Sequence, residues 1–419
     1  MNIWLINHYA NPPGEPGDAR HWSHARELIA RGHTVTVVCT SFHHLKHAQM
    51  ESFTRGKTIH EEVDGVPFVF LPAIGYQSDS ILRVAGFFEF GFRVWWGDWA
   101  RRLRKPDLIL GSSPHPFAAL GAERLASRYR VPFLLELRDA WPYVLTEVGG
   151  YSKRHPFVVL VDWTMRYLYR RAARIILFSR DSAGQLAGMG GDPSKVTWVP
   201  HGVDLNLAPQ PLPAPDDGVF TVTYIGAHNQ WNSLDTILDA ARYLQEKGVR
   251  NIEFRFVGDG VRKPFLKARV EAEDIRNVHF DDPVPKNKIS AVLHRADAFI
   301  LNNRVDGVSR GWMSFNKIYE YLAAQRPVVF GSCTAVNPVQ ESGAGILVEA
   351  GNHVQMAEAV EMLASKSRTQ LDAYGVLGRK HIEAYYSIQS IVTRFETMAL
   401  EVLGQKAHSA DPAPVSVRC

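Results

Sequence analysis

Lys317 and Glu320, three positions apart in SFNKIYEYLAAQRPVVFG (314–331), are the residues whose spacing best suits chemistry on a small anionic ligand. Phe315, Ile318, Tyr319, Leu322 and Ala323 recur at helical spacing, with Lys317, Glu320, Tyr321 and Ala324 on the other side. Ser314 is a good N-cap. Pro327 stops the helix before the buried strand Val328-Val329-Phe330. A cation in a first helical turn is disfavoured by roughly 0.3–1 kcal/mol. Either Lys317 and Glu320 form a solvated ion pair, or the helix start and Lys317 hold an anion, most naturally a phosphate. Other chemistry-bearing residues fall where strands end. Val131–Leu137 runs into Arg138-Asp139-Ala140-Trp141-Pro142, and Asp107–Gly111 runs into Ser112-Ser113-Pro114-His115-Pro116. A loop after the first strand carries Gly14, Gly17, Asp18 and Arg20.

The elements around these residues alternate strand and helix. Ile3–Asn7, the glycine-bearing loop, a helix with Trp22, Ala25, Leu28 and Ile29 inward, and Thr34–Cys39 make one βαβ unit. In such sheets ligands sit beyond the carboxyl ends of strands, which puts Gly14, Gly17, Asp18 and Arg20 at a candidate site. The glycine spacing is not that of a dinucleotide fingerprint. Residues 42–62 are polar and His-rich and read as a surface loop. His43, His44 and His47 lack a carboxylate or cysteine at metal-ligand spacing, so no metal is expected. A composition shift at 200–217, rich in proline, marks a domain boundary. A second α/β set follows, with strands at 219–225, 252–257, 278–280, 298–301 and 345–348. The domains expected are 1–200, 201–385, a last helix at 386–403 packing back on the first domain, and a disordered tail at 404–419.

The 419 residues suit two domains, and 46% hydrophobic content suits soluble cores. A net charge of +4 without runs of Lys and Arg fits small anionic ligands or an anionic membrane surface and argues against nucleic acid. Three scattered cysteines and an N-terminus without a basic region point to the cytoplasm. No run of 18 or more apolar residues predicts a spanning helix. Ile81–Lys105 is aromatic and ends basic. It reads either as a helix packed on the sheet or as one lying partly on the membrane surface, with Arg101, Arg102, Arg104 and Lys105 on lipid phosphates.

In order and spacing, RGHTVTVV, VPFLLELRDAWP, VTWVPHGVD, YIGAHNQWNSLDTILDAA, FRFVGDG, NVHFDDPVPKNKI and NKIYEYLAAQRPVV resemble retaining glycosyltransferases of family 4. The closer likeness is to bacterial surface-polysaccharide enzymes such as N-acetyl-fucosaminyl transferases. The resemblance implies two doubly wound Rossmann-like domains facing across a cleft (the GT-B fold). It also implies sugar transfer from a nucleotide diphosphate sugar, UDP-linked by preference, with no metal or other cofactor. The implied acceptor is a saccharide, with a polyprenyl-diphosphate-linked form at the inner membrane face suggested by the aromatic-basic stretch. Glu320, seven residues before Pro327, takes the place of the ribose-binding carboxylate, and the loop around Val284 that of the base-binding backbone. Gly17 and Gly226 approach the diphosphate, and Arg138-Asp139 stand where many members have His-Asp beside the transferred sugar. Asp18, Arg20 and His115 become candidate acceptor or sugar contacts. Departures are Trp312 for a second Glu, and Ala227 and Asn232 for an Arg and a Lys on the diphosphate. Lys317 then becomes the main charge partner, aided by Ser314 and Asn316, with Arg304, Arg310 and His228 secondary. Other readings of this architecture are a nucleotide-sugar 2-epimerase and a non-catalytic sugar-nucleotide-binding protein.

Overall fold

The computed structural model describes residues 1–14, 19–43, 57–76, 81–180, 182–206, 218–284, 288–303, 316–334 and 337–405, with the backbone of 48–49. The chain divides into two compact units, Met1–His201 with the chain from Ile388, and Gly202–Ser387.

The first unit is built on apolar runs that hydrogen-bond as parallel strands and are covered on both faces. Its strands are β1 (Asn2–Ile6), β2 (Thr34–Thr40), β3 (Phe42–His43), β4 (Ala48–Gln49), β5 (Ile59–Val63), β6 (Val66–Leu71), β7 (Leu108–Ser112), β8 (Phe133–Glu136), β9 (Arg174–Leu177) and β10 (Val196–Trp198). The sheet order is β10-β9-β8-β7-β1-β2-β6-β5, and only β5 runs antiparallel. Leu5 pairs with Val37 on one side and Leu110 on the other, so β1 stands where the winding reverses. Side chains after β1 and β7 therefore share one end of the sheet.

The expected loop at 42–62 is corrected here: β3 and β4 form a small antiparallel pair, and β5 hairpins onto β6. The hairpin turns at Asp64-Gly65, both in the left-handed region (φ 47° and 78°), as a two-residue turn requires.

The chain's last helix, Ile388–Val402, completes this unit's core. Ile391, Val392 and Phe395 join the cluster that holds Leu5, Leu28 and Val37. Arg31 fixes it by an ion pair to Glu396 at 2.8 Å, and His33 Nε2 lies 2.7 Å from the same carboxylate. On the sheet's flank the Ile81–Trp96 helix lies backbone to backbone against Pro116–Tyr129. A β-carbon on Gly91 would stand 2.4 Å from the Phe117 carbonyl oxygen, and one on Gly121 2.3 Å from that of Gly91.

The second unit has six strands, β11 (Phe220–Ile225), β12 (Ile252–Val257), β13 (Val278–Asp281), β14 (Ala298–Asn302), β15 (Val328–Ser332) and β16 (Gly345–Glu349). All are parallel, in the order β13-β12-β11-β14-β15-β16. The winding reverses between β11 and β14, so Gly226 and Asn303 open the crevice where such sheets take ligands. Both units are parallel-sheet Rossmann-like domains.

Candidate functional site

In the second unit the Asn316–Ala323 helix buries Ile318, Tyr319, Leu322 and Ala323, as its spacing requires. The assignment of Tyr321 and Ala324 to the outer side is corrected: both are buried. The Tyr321 ring stacks on Phe299 at 4.1 Å. Its hydroxyl accepts from the Ile225 N–H at 2.8 Å and donates to the Ile225 carbonyl at 3.1 Å. The helix is thus tied to the last residue of β11 through both backbone groups of one residue.

Lys317 extends from this helix to the turn after β11. Its Nζ donates to the Tyr224 hydroxyl at 3.0 Å and to Asn232 Oδ1 at 2.8 Å, and lies 4.8 Å from the Tyr224 ring centroid. Asn232 is held for this by donating to the Ala227 carbonyl at 2.8 Å and to Asn229 Oδ1 at 2.9 Å. Gly226 makes room for it: at φ +146° a β-carbon there would stand 2.3 Å from Lys317 Cε. Among the departures noted in the sequence, Asn232 replaces an expected lysine. The Lys317 ammonium sits against that same residue, so the helix delivers a cation where the turn no longer carries one. Burial lowers the Lys317 pKa to about 8, with Glu320, one turn on, pulling the other way. A desolvated ammonium with only neutral hydrogen-bond partners favours an incoming anion strongly.

Asn316 is exposed at the start of the helix, and Glu320 is half-buried. Val284 lies three residues beyond β13, which is two strands, roughly 10 Å, from β11. His228 is corrected as a charge partner: it is fully buried, and burial, with Lys263 and Lys317 nearby, lowers its pKa to about 4. Neither of its ring nitrogens has a hydrogen-bond partner among the described residues. Ser314, Arg304 and Arg310 lie outside the described residues.

Sequence reasoning missed two residues here. Lys263 is buried and donates to the carbonyls of Gly258 at 2.8 Å and Asp281 at 2.9 Å, pinning the ends of β12 and β13. Asn303, directly after β14, is fully buried, and its carboxamide oxygen and nitrogen have no hydrogen-bond partner among the described residues. A buried amide left this way costs about 1–3 kcal/mol, which a polar ligand would recover. The double asparagine after a buried strand was the available signal.

In the first unit Gly17 and Asp18 lie outside the described residues. Arg20 is corrected: it is a buried clamp, not a surface contact for acceptor or sugar. It donates to Glu136 Oε2 at 3.2 Å and to the carbonyls of Pro200 at 2.5 Å and Val199 at 2.9 Å, and its guanidinium lies 4.6 Å over Phe178. Glu136 also accepts from Ser112 Oγ at 2.8 Å. Burial alone would raise the Glu136 pKa, but His21 and Arg20 hold it well below the usual range.

His115 is corrected in the same way, being fully buried as the N-cap of the Pro116–Tyr129 helix. Its Nδ1 accepts from the Ala118 N–H at 3.3 Å, and its Nε2 is 2.6 Å from His8 Nδ1. Burial keeps it neutral, well below the ordinary imidazole pKa. A neutral His115 that accepts at Nδ1 donates from Nε2, so His8 accepts at Nδ1 and carries its proton on Nε2. Phe90 stacks on His8 at 4.3 Å and Phe87 on His115 at 4.1 Å. Arg138 and Asp139 follow β8, with the Arg138 guanidinium 5.7 Å over Phe178. Asp139 keeps solvent access, yet desolvation by the protein around it raises its pKa to about 6 against the pull of Arg138 and Arg83. Arg83, missed in the sequence, reaches this end of the sheet from the Ile81–Trp96 helix and acts electrostatically on Tyr9, His115 and Asp139.

Among the described residues no group of three or more His, Cys, Asp or Glu could hold a metal ion, and no helix is long and apolar enough to cross a membrane.

Residues 19–202 match the glycosyl transferase 4-like domain, and residues 219–366 match glycosyl transferases group 1. No curated protein matches the chain. Solved structures resemble it in fold at low identity. Sucrose-phosphate synthase from Thermosynechococcus elongatus is 13% identical with a TM-score of 0.73, over 96% of this chain and 99% of that one. Anabaena HepE in complex with UDP-glucose is 15% identical with a TM-score of 0.64, over 95% and 99%. A glycosyltransferase from Rickettsia africae is 12% identical with a TM-score of 0.65, over 96% and 98%. With a family 4-like domain followed by a group 1 domain across most of its length, the chain is a glycosyltransferase of the GT-B type.

Proposed function

We propose that the protein transfers a hexosyl or N-acetylhexosaminyl group from a UDP-sugar to an acceptor hydroxyl, with retention at the anomeric carbon and without a metal ion. The observation that carries this is the Lys317 ammonium, desolvated and held by Tyr224 and Asn232 beside Gly226 at the carboxyl end of β11. UDP-glucose bound to HepE, a protein of the same fold, supports the choice of donor.

As the anomeric C–O bond breaks, charge builds on the β-phosphate. Lys317 and the first amides of its helix meet that charge in place and need no reorganisation. Glu320 accepts from the ribose hydroxyls, one turn from the phosphate grip. The departing phosphate oxygen takes the acceptor's proton on the face it leaves, which gives retention without a separate base. Asp139 orients a hydroxyl of the sugar or acceptor, and Arg138 holds Asp139 towards its charged form. The acceptor is a saccharide of bacterial surface-polysaccharide or glycolipid assembly, carried on a polyprenyl diphosphate at the inner face of the cytoplasmic membrane.

Calorimetry with UDP and UDP-sugars tests the donor, and NMR of the product's anomeric proton tests the outcome. Saturable UDP binding and an unchanged anomeric configuration are expected. Inversion would overturn the same-face mechanism. Epimerisation of the donor without an acceptor would overturn transfer altogether.

A further inference from the structure

The first unit leaves a large aromatic surface uncovered. Along the Ile81–Trp96 helix, Phe87, Phe90 and Val94 face inward. On the opposite side, at the same helical spacing, Ile81, Phe88, Phe92, Trp95 and Trp96 are exposed, with Ile81 at 87% and Trp96 at 59%. The Pro156–Arg171 helix repeats this, with Val159 and Trp163 exposed on one stripe that continues into Arg166 and Arg170. Phe117 links the two faces, its ring 4.1 Å from Phe88 and 6.2 Å from Phe157.

Charge follows the same two segments. Residues 81–105 carry six basic and two acidic side chains, and residues 150–174 carry six basic and one acidic. They hold net charges of +4 and +5, against +4 for the whole chain, so the remainder is net −5. An exposed apolar stripe on a rigidly backed helix, joined to local positive charge on an otherwise acidic protein, is the pattern of a helix lying in a bilayer interface. Trp and Phe suit the headgroup level, and Arg suits lipid phosphates. A protein partner would be favoured by the apolar stripe alone. The concentration of Arg in these two segments favours a lipid phosphate surface.

We infer that the outward faces of Ile81–Trp96 and Pro156–Arg171 form one docking surface for an anionic phospholipid bilayer, with both helix axes close to the membrane plane. This rests on the proposed reading only for the idea of a membrane-borne acceptor, and it commits to the surface and to the lipid chemistry.

The test is co-sedimentation of the full chain with vesicles of phosphatidylcholine alone or mixed with phosphatidylglycerol. Binding to the anionic vesicles, weakened by salt, is expected. Phe92→Ser with Trp96→Ser should lower that partition by about tenfold or more, while circular dichroism and UDP affinity stay unchanged. Because both side chains are exposed, the variant keeps its fold. Equal partition of wild type and variant, or no binding to anionic vesicles, would overturn the inference. So would concentration-dependent self-association that the same variant abolishes, which would assign the face to a second copy of the chain. UDP binding is read separately, so a failure here leaves the sugar-transfer reading standing, and failure of UDP binding leaves the vesicle result intact.

Discussion

Replacing Lys317 with Met removes one half-buried charge and keeps most of the side-chain volume. Burial lowers the Lys317 pKa from 10.5 to about 8, so holding the charged form there costs on the order of 3 kcal/mol. A diphosphate laid against the ammonium would return the pKa towards its ordinary value, and binding would then draw in a proton. With a free-protein pKa of about 8, that uptake is about 0.5 proton per ligand at pH 8 and about 0.1 at pH 7. The protonated lysine is the binding form, so affinity is full below about pH 8 and falls above it by at most about tenfold per pH unit. Folding runs the opposite way. The unfolded chain keeps this proton up to the ordinary lysine pKa, so the stability contribution of Lys317 is lowest below pH 8 and rises between pH 8 and 10.5. The assay is calorimetry with a UDP-sugar in two buffers of different ionisation enthalpy at each pH. Lys317→Met should abolish the buffer dependence at pH 8 and weaken binding, and turnover should fall about 10²-fold. Thermal stability should stay near wild type, because relief of the half-buried charge offsets the partners left on Tyr224 and Asn232. No proton uptake at pH 8 by the wild type, or the same uptake by the variant, would refute the reasoning.

Other outcomes follow from the same geometry. Glu320→Ala should weaken UDP affinity by about tenfold or more, the scale of losing charge-assisted hydrogen bonds; unaltered affinity in calorimetry would remove the ribose assignment. Gly226→Ala should weaken donor binding no more than Lys317→Met does, since its β-carbon would stand 2.3 Å from Lys317 Cε at φ +146° and displace the ammonium; a variant that binds UDP normally would show that Lys317 is not held there. Glu136→Gln should cost about 3–5 kcal/mol in urea unfolding at neutral pH, because it leaves the buried Arg20 uncompensated. The Glu136 pKa is held low in the folded state, so its contribution is present above the unfolded value and is lost as the pH falls. The penalty should therefore shrink in acid, and one that grows there would count against the assignment.

The alternation of strands and helices and the apolar stripe of the Asn316–Ala323 helix were legible because each rests on local pattern: apolar runs, glycine and proline punctuation, and helical spacing. What was not legible depends on pairs distant in the chain. Arg20 looks like a loop residue free to meet a ligand until Glu136, on a strand 116 residues later, closes on it. Lys317 invites an anion on local grounds, but its setting is made by Tyr224 and Asn232, 93 and 85 residues earlier. Tyr321 was placed outward because a one-sided pattern was assumed, whereas this helix is buried on more than one side and spends its tyrosine hydroxyl on the β11 backbone. Strand β5 was hidden by its own composition: an edge strand with exposed His60, Glu61 and Glu62 reads as a polar loop unless Asp64-Gly65 is taken as a hairpin turn.

The return of Ile388–Val402 to the first unit bears on how the chain is made. Ile391, Val392 and Phe395 belong to the same core as Ile3 and Leu5, yet all of Gly202–Ser387 is synthesised between them. At about 5–20 residues per second on the ribosome, this leaves the first unit without its last helix for roughly 10–40 s. During that interval the apolar side chains awaiting Phe395 and its neighbours stand open to chaperones or to other nascent chains. The second unit, contiguous in sequence, can close as soon as Ser387 emerges. Synthesis order and folding order are therefore opposed: the domain translated first is the last to be finished.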